Sequence, residues 1–570
     1  MGPIGQVRRN QLITTYGIGA MVAVEDASYM VMGLDRWNVS GPNLHEPRLE
    51  KKLGVQGFVL PPASENGPDI PVVRFPDMYS CPICRRLEKH SFFCEHENNK
   101  CNSCNASLVP SRFVVCCPKG HINDFPYFNW VHAGSARRQG AHALKIESRG
   151  ASASLRDINI SCSCGAARTM EGAFGKKAMQ VIAQCSGRRP WLPGNAELCN
   201  ELPRTLQRGA SNVWFPVIHS SISIPPWSEG AFTVLSKYWV VLRHVPDDSL
   251  HGTIQGLGVS TGTPYTVEDL VNIVRQRRRG SELPDTAEAL RIQEYEALIK
   301  GQPERTRRDE FVCVPATGLG STTSQWFDCV MQVKRLREVR ALHSFTRLYP
   351  STEGDPAATQ APIFAMNPLW LPAIEVTGEG VFLKLRTDLL CEWETKPEVV
   401  MRAKTIDDNN KRRLQSLGGN LGRTISPRFL LVHTLAHVLI NQWALDCGYP
   451  AASLRERIYV SDSMAGLLIY TATSDSAGSL GGVVAQAKSE RLDNSLLDAM
   501  TQASWCSGDP LCIEADAQGV DSLNLAACHA CVLLPEVSCE EMNLFLDRAM
   551  LVGTLEIPSM GYFRSAIETD

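Results

Sequence analysis

The spacing of the cysteines constrains this chain more than any other feature of its sequence. The segment CPICRRLEKHSFFCEHENNKCNSC carries two CxxC pairs, Cys81 with Cys84 and Cys101 with Cys104, and sixteen residues separate the pairs. This spacing is typical of a zinc ribbon, in which four thiolates close a tetrahedral shell around one ion. A closed shell leaves no position for a reacting water, so we expect a structural zinc site here.

Two further groups of cysteines predict additional zinc sites. The first group combines a CxC pair with two single residues and consists of Cys162, Cys164, Cys185 and Cys199. The second group has one ligand more than a tetrahedral ion needs and consists of Cys506, Cys512, Cys528, Cys531 and Cys539. In this second group Cys528 and Cys531 form the CxxC pair, and spacing alone leaves open which other two residues complete the shell.

Other cysteines and histidines lie close to the zinc ribbon in sequence. They are Cys94, His96, Cys116, Cys117 and His121. We interpret them as buried thiols and hydrogen-bonded imidazoles, with a role as replacement ligands as the alternative.

The cellular compartment supports metal over disulfides. The chain has 20 cysteines among 570 residues. Its N-terminal segment lacks the apolar core of a signal peptide, and no run of about 18 apolar residues could span a membrane. We therefore expect a cytoplasmic protein that makes no contact with a membrane, in which thiols stay reduced and clustered cysteines bind metal.

The composition is that of an ordinary globular protein, with 44% hydrophobic and 21% charged residues. The length suggests roughly three to five domains, and the mixture of short apolar runs and helical patterns predicts a multidomain, zinc-stabilised α+β fold. The predicted regions are a β-rich N-terminal region (1–75), a zinc-binding region (76–225), a mainly helical region (226–345), a β-rich connecting region (346–425) and a mixed α/β C-terminal domain (426–570).

Helical periodicity is clearest between residues 265 and 345. Three segments show apolar residues at helical spacing, TVEDLVNIVRQRRRG, DTAEALRIQEYEALIKGQ and CVMQVKRLREVRALHSF. Thr266 and Asp285 stand at the N-cap positions of the first two. A further helix is expected from Ser426, followed by two strands, RIYVSDS and GLLIYTAT.

The segment LLVHTLAHVLINQW places His433 and His437 four residues apart on the predicted C-terminal helix. Zinc proteases use this spacing, but Thr434 stands where their catalytic glutamate would be. Apolar residues surround the histidines on every face, which is typical of a buried helix. We interpret the pair as a buried polar seam, with a metal-ligand role as the alternative.

Several motifs of catalysis are missing. The sequence contains no GxxxxGK[ST] loop, so we do not expect ATP hydrolysis by the P-loop route. It also contains no GxSxG elbow and no HExxH.

Clusters of arginine give the chain candidate contacts to nucleic acid, although the net charge is -3. Arginines that are close together can bind phosphates with salt-dependent affinity, and the alternative is a solvated surface. Trp191, which lies beside Arg188 and Arg189, could offer a stacking surface. The candidate DNA-binding residues are Arg188, Arg189, Arg275, Arg277, Arg278, Arg279, Arg412 and Arg413.

The C-terminal motifs VHTLAHVLI, IYTATSDSAGSLGG and ACHACVLLPEVSCEEMNLFLDR resemble the helicase-associated domain with a four-cysteine cluster that follows the motor of MrfA-like superfamily 2 DNA helicases. The motifs RRNQLITTYGIGAMV, LVPSRFVVCCPKGHINDFPYFNWVH, RRPWL and QRGASNVWFPVIHSSISIP resemble the DrmB family of the bacterial DISARM anti-phage system. The resemblance implies zinc ligation by Cys539 and a complex with a separate DrmA-like helicase. It also implies binding of DNA with a single-stranded end.

These observations predict a non-enzymatic, zinc-containing partner of a DNA helicase in antiviral defence. One alternative is a metal-dependent hydrolase or nuclease that uses His433 and His437 with an acidic third ligand such as Asp462 or Asp475. Another is an independent zinc-containing DNA-binding module. The sequence does not specify the DNA structure, the stoichiometry or the surface that meets the partner.

Overall fold

A computed structural model of the chain confirms the α+β class. Strands alternate with helices along the sequence, and several hydrophobic cores are present. The structure describes residues 4–567 except 64–69, 95–97, 135–141, 149–153, 227, 229–233, 236, 264, 280–283, 308, 367, 421 and 472–480.

The strands form four sheets within these described ranges. They are β1 (Met21–Val24), β2 (Ala27–Val31), β3 (Gly57–Val59), β4 (Val72–Arg74), β5 (Met78–Ser80), β6 (Arg86–Lys89), β7 (Val109–Pro110), β8 (Phe113–Cys116), β9 (Ile122–Asp124), β10 (Leu144–Ser148), β11 (Ile158–Cys162), β12 (Ala167–Thr169), β13 (Arg204–Gln207), β14 (Phe215–Ile222), β15 (Val312–Pro315), β16 (Phe327–Thr346), β17 (Ala361–Pro362), β18 (Trp370–Leu385), β19 (Leu454–Val460) and β20 (Ala465–Thr471).

The helices lie mainly in the second half of the chain. They are α1 (Gln11–Thr14), α2 (Pro47–Leu53), α3 (His90–Phe93), α4 (Tyr127–Val131), α5 (Trp239–Leu242), α6 (Asp247–Gly256), α7 (Val267–Arg279), α8 (Ala287–Lys300), α9 (Ser321–Trp326), α10 (Thr387–Trp393), α11 (Pro397–Ser416), α12 (Pro427–Cys447), α13 (Ser489–Ala503), α14 (Ala549–Val552) and α15 (Arg564–Ile567).

The largest sheet joins distant parts of the sequence. Its main strands lie in the order β14-β16-β18-β20-β19, all antiparallel, while β15 and β17 pair with β16 and β3 pairs in parallel with β18. Strands from every predicted region therefore contribute to one sheet, and β16 crosses the predicted boundary between residues 345 and 346. These regions are joined through one sheet.

The prediction of a helix for residues 329–345 is wrong. The segment is part of the 20-residue strand β16, which lies between β14 and β18. Its charged residues imitate a helical pattern, but Glu338 and Arg340 are buried and form an ion pair of 2.6 Å within the sheet. Pairing on both sides outweighs local propensity here.

The other two predicted helices of this region are confirmed as α7 and α8. The hydroxyl of Thr266 accepts a hydrogen bond of 3.1 Å from the backbone N–H of Asp269, as expected for an N-cap. At α8 the cap is Thr286 and not the predicted Asp285, since the Thr286 hydroxyl accepts from the N–H of Ala289.

The predicted C-terminal helix is α12, which begins after Ser426. The Ser426 hydroxyl accepts from the N–H of Phe429, and Gly448 ends the helix in a left-handed conformation with φ of 69°. The helix packs on β19 and β20 and against α13, and its apolar residues enter the largest core. The two strands predicted after it are confirmed as β19 and β20.

The zinc-binding region folds into small sheets. One has the order β12-β11-β10-β6-β5-β7, and another has the order β13-β8-β9. In the part of the chain that the structure describes, no helix is both long and apolar enough to cross a membrane.

Candidate metal centres

The first zinc ribbon is built from two matching knuckles. The backbone N–H of Arg85 bonds to the carbonyl of Cys81, and the N–H of Asn105 bonds in the same way to Cys101. Both Arg85 and Asn105 have positive φ, 63° and 53°, so each CxxC turns back sharply. The turns bring the sulfurs of Cys81, Cys84, Cys101 and Cys104 within 4.8 Å of one another.

The sulfur separations fit a tetrahedral zinc ion. Zn–S bonds of about 2.3 Å place neighbouring sulfurs about 3.8 Å apart, and the sulfurs of Cys84 and Cys101 lie 3.9 Å apart. A disulfide would need about 2.05 Å, and all cysteines of the chain are free.

A second centre combines three cysteines with a histidine. Cys117, His121, Cys185 and Cys199 bring their ligand atoms within 4.8 Å of one another. The Nδ1 of His121 lies 3.3 Å from the sulfur of Cys117 and 3.6 Å from that of Cys185. On the other side of the ring, a carboxylate oxygen of Glu197 lies 2.7 Å from Nε2. A carboxylate behind a histidine is typical of zinc sites, where it orients the ring.

A third centre uses two histidines and the CxC pair. The Nε2 of His132 lies 3.3 Å from the sulfur of Cys164, and the Nδ1 of His142 lies 3.1 Å from that of Cys162. The other ring nitrogen of His132 is 2.7 Å from the carbonyl of Phe128. This contact fixes the ring with Nε2 toward the sulfurs.

The expected single site of Cys162, Cys164, Cys185 and Cys199 is therefore corrected, because the structure separates these cysteines into two centres. Cys162 ends β11, in the six-stranded sheet, whereas Cys185 and Cys199 lie in the segment next to β8 and β9. The histidines supply the missing ligands. The CxxxH spacing of Cys117 and His121 is a usable signal for the second centre, and it corrects the interpretation of these two residues as a buried thiol and a hydrogen-bonded imidazole.

A fourth centre consists of Cys506, Cys512, Cys528 and Cys531. The sulfur of Cys528 lies 3.5 Å from that of Cys506 and 3.6 Å from that of Cys531, and Cys512 is 3.8 Å from Cys531. Of the three cysteines that spacing left open, Cys506 and Cys512 thus complete this group. Cys539, which the resemblance added to it, lies instead beside His433, at 3.2 Å from Nε2.

Two of the other possible replacement ligands, Cys94 and Cys116, belong to none of these groups. The sulfur of Cys94 is 3.4 Å from His90 and 2.7 Å from the carbonyl of Asn98. Cys116, the last residue of β8, is buried in a hydrophobic core. His96 lies outside the described residues.

The electrostatic environment lowers the pKa of two ligand thiols, whereas desolvation and neighbouring cysteines raise the pKa of another ligand thiol, Cys104, to about 12. The backbone N–H of Ala166 and the His132 ring lower the pKa of Cys164 to about 6. Hydrogen bonding with Cys117 lowers the pKa of Cys185 to about 4. Burial instead raises the pKa of Cys116 to about 12. Since the thiolate is the form that binds metal, Cys164 and Cys185 are prepared as ligands.

Of the candidate DNA-binding arginines, Arg188 and Arg189 lie next to the second centre, and both contact other side chains of the protein. The guanidinium of Arg188 is 44% exposed, 3.1 Å from the side-chain oxygen of Asn123 and 3.6 Å from Asp77. Arg189 forms an ion pair of 2.9 Å with Glu197. Trp191 is fully buried and donates to the carbonyl of Pro362, so the expected stacking surface is absent at this residue.

Among the candidate arginines of α7, Arg275 and Arg278 contact other residues of the protein. Arg278 pairs with Asp247 at 2.7 Å and donates to the carbonyls of Leu242 and Val245, and Arg275 lies 3.7 Å from Asp247. The positions of the Arg277 and Arg279 side chains lie outside the described part.

The two arginines of α11 differ sharply. Arg412 is exposed and donates to Asn409. Arg413 is 4% exposed at its side chain and forms a double ion pair with Asp355, at 2.8 and 3.0 Å. The expectation that Arg413 contacts DNA is corrected, since its donors are already used inside the protein.

Two segments of the chain match known domain families, and nearly the whole chain matches one known protein. Residues 8–215 match a family model described as a domain of unknown function (DUF8724). Residues 435–532 match the MrfA Zn-binding domain, and all four cysteines of the fourth centre fall within this range. A DISARM protein DrmB from Bacillus paralicheniformis (strain ATCC 9945a / NCIMB 11709 / CD-2) is 27% identical over 570 residues, which cover 96% of this chain and 100% of the relative.

The chain is similar to a DrmB protein over nearly its whole length. The predicted resemblance to DrmB and to an MrfA-type C-terminal domain is therefore confirmed. The prediction of zinc is confirmed as well, by the zinc-binding domain together with the cysteine and histidine clusters. The assignment of individual ligands is our proposal from geometry.

Proposed function

We propose that this chain is a non-catalytic subunit of a DISARM-type anti-phage complex, in which it partners a separate DrmA-like helicase and helps it bind DNA with a single-stranded end. The observation that carries the proposal is the similarity to DISARM protein DrmB over 96% of the chain. The match to a domain named after the MrfA helicase adds to it. The chain itself has no P-loop, so a motor must come from another subunit.

The burial of the histidine pair supports a non-catalytic role. A hydrolytic zinc site keeps one position open to water and substrate. His433 and His437 have no exposed surface, and Asp475, one of the acidic ligands considered for a hydrolase, lies outside the described residues. Asp462 is exposed on the surface of a cleft.

The proposed DNA contacts are the candidate arginines with exposed head groups, Arg188 and Arg412. Each can reach a phosphate without breaking a buried ion pair, and each would add to a salt-dependent affinity. Two contacts of this kind are a small number, which is consistent with a subunit that assists another DNA-binding protein.

A deep cleft between the C-terminal residues and β14 is a less suitable path for DNA. It encloses about 1600 Å³ and is lined by side chains of both charges. Three of the arginines that line it are paired, Arg291 with Glu540 at 2.6 Å, Arg423 with Glu541 at 2.7 Å and Arg428 with Glu394 at 2.7 Å. A cleft of mixed charge suits a polar protein segment better than a phosphate backbone.

The test is co-purification with a DrmA-like helicase, followed by DNA binding measured by fluorescence anisotropy across a salt series. The DNA is a duplex with a single-stranded extension, and a blunt duplex of the same sequence is the comparison. We expect the two proteins to form a complex that binds the extended duplex more tightly than the helicase alone. Arg188→Ala and Arg412→Ala should each weaken binding and reduce the salt slope by about one.

Arg156→Ala is the matched control, because Arg156 is an exposed arginine paired with Glu171 outside the candidate set. It should leave DNA binding unchanged. Failure to form a complex with the helicase would contradict the proposal. Strong, salt-sensitive DNA binding by this chain alone would favour the independent module, and DNA cleavage lost in His433→Ala would favour the hydrolase.

A further inference from the structure

Four ligand-type side chains from three separate elements meet inside the C-terminal domain. His433 and His437 come from α12, Glu456 comes from β19, and Cys539 comes from the segment after the fourth centre. Their ligand atoms lie within 4.8 Å of one another, and all four residues are buried. None of them belongs to the four centres described above.

The two histidine rings are fixed so that the same nitrogen faces the cluster. The Nδ1 of His433 lies 3.3 Å from the carbonyl of Phe545, and that of His437 lies 3.0 Å from the carbonyl of Val532. A carbonyl accepts only, so each Nδ1 carries a proton and donates it. In the neutral ring, this leaves the lone pair of Nε2 directed into the cluster.

Glu456 and Cys539 are oriented by backbone donors. One oxygen of Glu456 accepts from the N–H of Glu540 at 3.1 Å. The sulfur of Cys539 accepts from the N–H groups of Glu541 and Asn543, both at 3.3 Å. Backbone donors of this kind stabilise a carboxylate and a thiolate, which are the forms that bind metal.

Two polar atoms at the middle of the cluster have no hydrogen-bond partner among the described residues. Nε2 of His433 is 3.1 Å from Oε1 of Glu456, and Nε2 of His437 is 3.6 Å from Oε2. Within the described part of the chain, Nε2 of His437 and Oε2 of Glu456 are buried without a hydrogen-bond partner. Two buried acceptors that face each other are costly unless a cation or a proton lies between them.

We propose that His433, His437, Glu456 and Cys539 hold a fifth zinc ion in a closed structural site. Two neutral imidazoles, a carboxylate and a thiolate form a four-coordinate ligand set of types that zinc binds. The two anionic ligands also balance the charge of the ion. The observed separations of 3.1, 3.2 and 3.6 Å lie within about 0.4 Å of the roughly 3.3 to 3.6 Å expected for unlike ligand atoms that share a tetrahedral zinc ion.

The site joins elements that are far apart in the sequence. Residues 433 and 539 are 106 positions apart, and the ion would connect α12 and β19 to the loop that follows the fourth centre. Because four protein ligands fill the shell and no ligand has appreciable exposure, the ion stabilises the domain and takes no part in hydrolysis. The inference does not depend on the DISARM function.

The direct test is X-ray diffraction from crystals of the full chain, with data collected on both sides of the zinc absorption edge. We expect an anomalous peak between Nε2 of His433, Nε2 of His437, Glu456 and Cys539, in addition to peaks at the four other centres. Peaks at those four centres with none at this cluster would overturn the proposal, and the histidines would then carry the balancing protons. A peak that appears only at the edge of another metal would overturn the assignment to zinc.

Metal content of variants gives an independent measurement. His437→Ala should lower the zinc content by one ion per chain and leave the other centres loaded. Cys447→Ser is the matched control, since Cys447 ends the same helix outside the cluster, and it should retain the full metal content. A folded His437→Ala protein with unchanged zinc would overturn the proposal, and the diffraction test on the unaltered chain decides the question if the variant does not fold.

Discussion

The zinc ribbon and the C-terminal domain are held together by different means. Around the first centre the buried apolar residues are few, with Tyr79, Phe93 and Leu108 beside the cysteines themselves. Around α12 the core is extensive and draws on the central sheet, α13 and the last helices. Small units that bury little apolar surface need a staple, whereas a long helix packed on a large sheet does not. Metal should therefore be essential in the first unit and supplementary in the second.

The largest effect should come from removing the ribbon zinc. Cys81→Ser combined with Cys101→Ser removes two of four ligands, and structural zinc contributes about 10 kcal/mol or more to such units. We expect hydrogen exchange to lose protection across residues 78–110, while β16 and β18 remain protected. Cys391→Ser is the control, because Cys391 is exposed and belongs to none of the clusters. A ribbon that stays protected without its metal would show that the apolar contacts suffice.

A buried ion pair should matter next. Arg413→Ala leaves Asp355 as an unpaired buried charge, which costs about 3–5 kcal/mol, and its neighbour Arg412→Ala should change stability by less than about 0.5 kcal/mol. Urea unfolding of the two variants measures both values. Equal effects at the two positions would contradict the distinction between a structural and a surface arginine.

Within the apolar core, Leu435→Ala should reduce the free energy of unfolding by about 2–5 kcal/mol, because Leu435 is fully buried on α12. Leu445→Ala is the matched control on the same helix, since Leu445 is 70% exposed. Neither change should release zinc from the ribbon, and zinc content by mass spectrometry checks this. Loss of the ribbon zinc in Leu435→Ala would mean that the two units unfold together.

The smallest predicted effect depends on pH. Burial raises the pKa of Asp124, at the end of β9, from 3.8 to about 6. The folded protein then holds a proton that the unfolded chain has lost, so stability falls as pH rises through this interval. Asp124→Asn removes the cost and keeps an acceptor for the N–H of Met78. We expect it to stabilise the β8–β9 unit by about 1–3 kcal/mol at pH 7, with less gain at pH 5.

The readout is local hydrogen exchange of β8, compared between variant and unaltered protein at each pH. Asp248→Asn is the control, because Asp248 is exposed on α6 and is not among the groups that shift the pKa of Asp124. An advantage of Asp124→Asn that does not change between pH 5 and pH 7 would contradict a raised pKa.

Part of this architecture could be predicted from local sequence. The ribbon follows from two CxxC pairs, since each pair forms its own turn, and α12 follows from a capping serine before an apolar run. Strand β16 could not be predicted, because its burial depends on β14 and β18, which lie far away in the sequence.

The metal ligands also divide into those that local sequence predicts and those that depend on the fold. The four residues of the ribbon are local, but His132, His142 and Glu456 reach their clusters only through the fold. Single histidines and glutamates carry no spacing signal, so counting cysteines assembled the wrong group in one case and placed Cys539 in the wrong cluster in another. The exposure of the arginines depends equally on distant partners, as Asp355 shows for Arg413.

The most direct test of the account is the zinc content of the purified chain, measured by mass spectrometry after removal of loosely bound metal. The four centres with two or more cysteines and the buried histidine site predict five zinc ions per chain. Four ions would leave the cysteine centres intact and remove the fifth site. Two or fewer ions per folded chain, with reactive thiols at Cys164 and Cys185, would contradict the assignment of zinc to these centres.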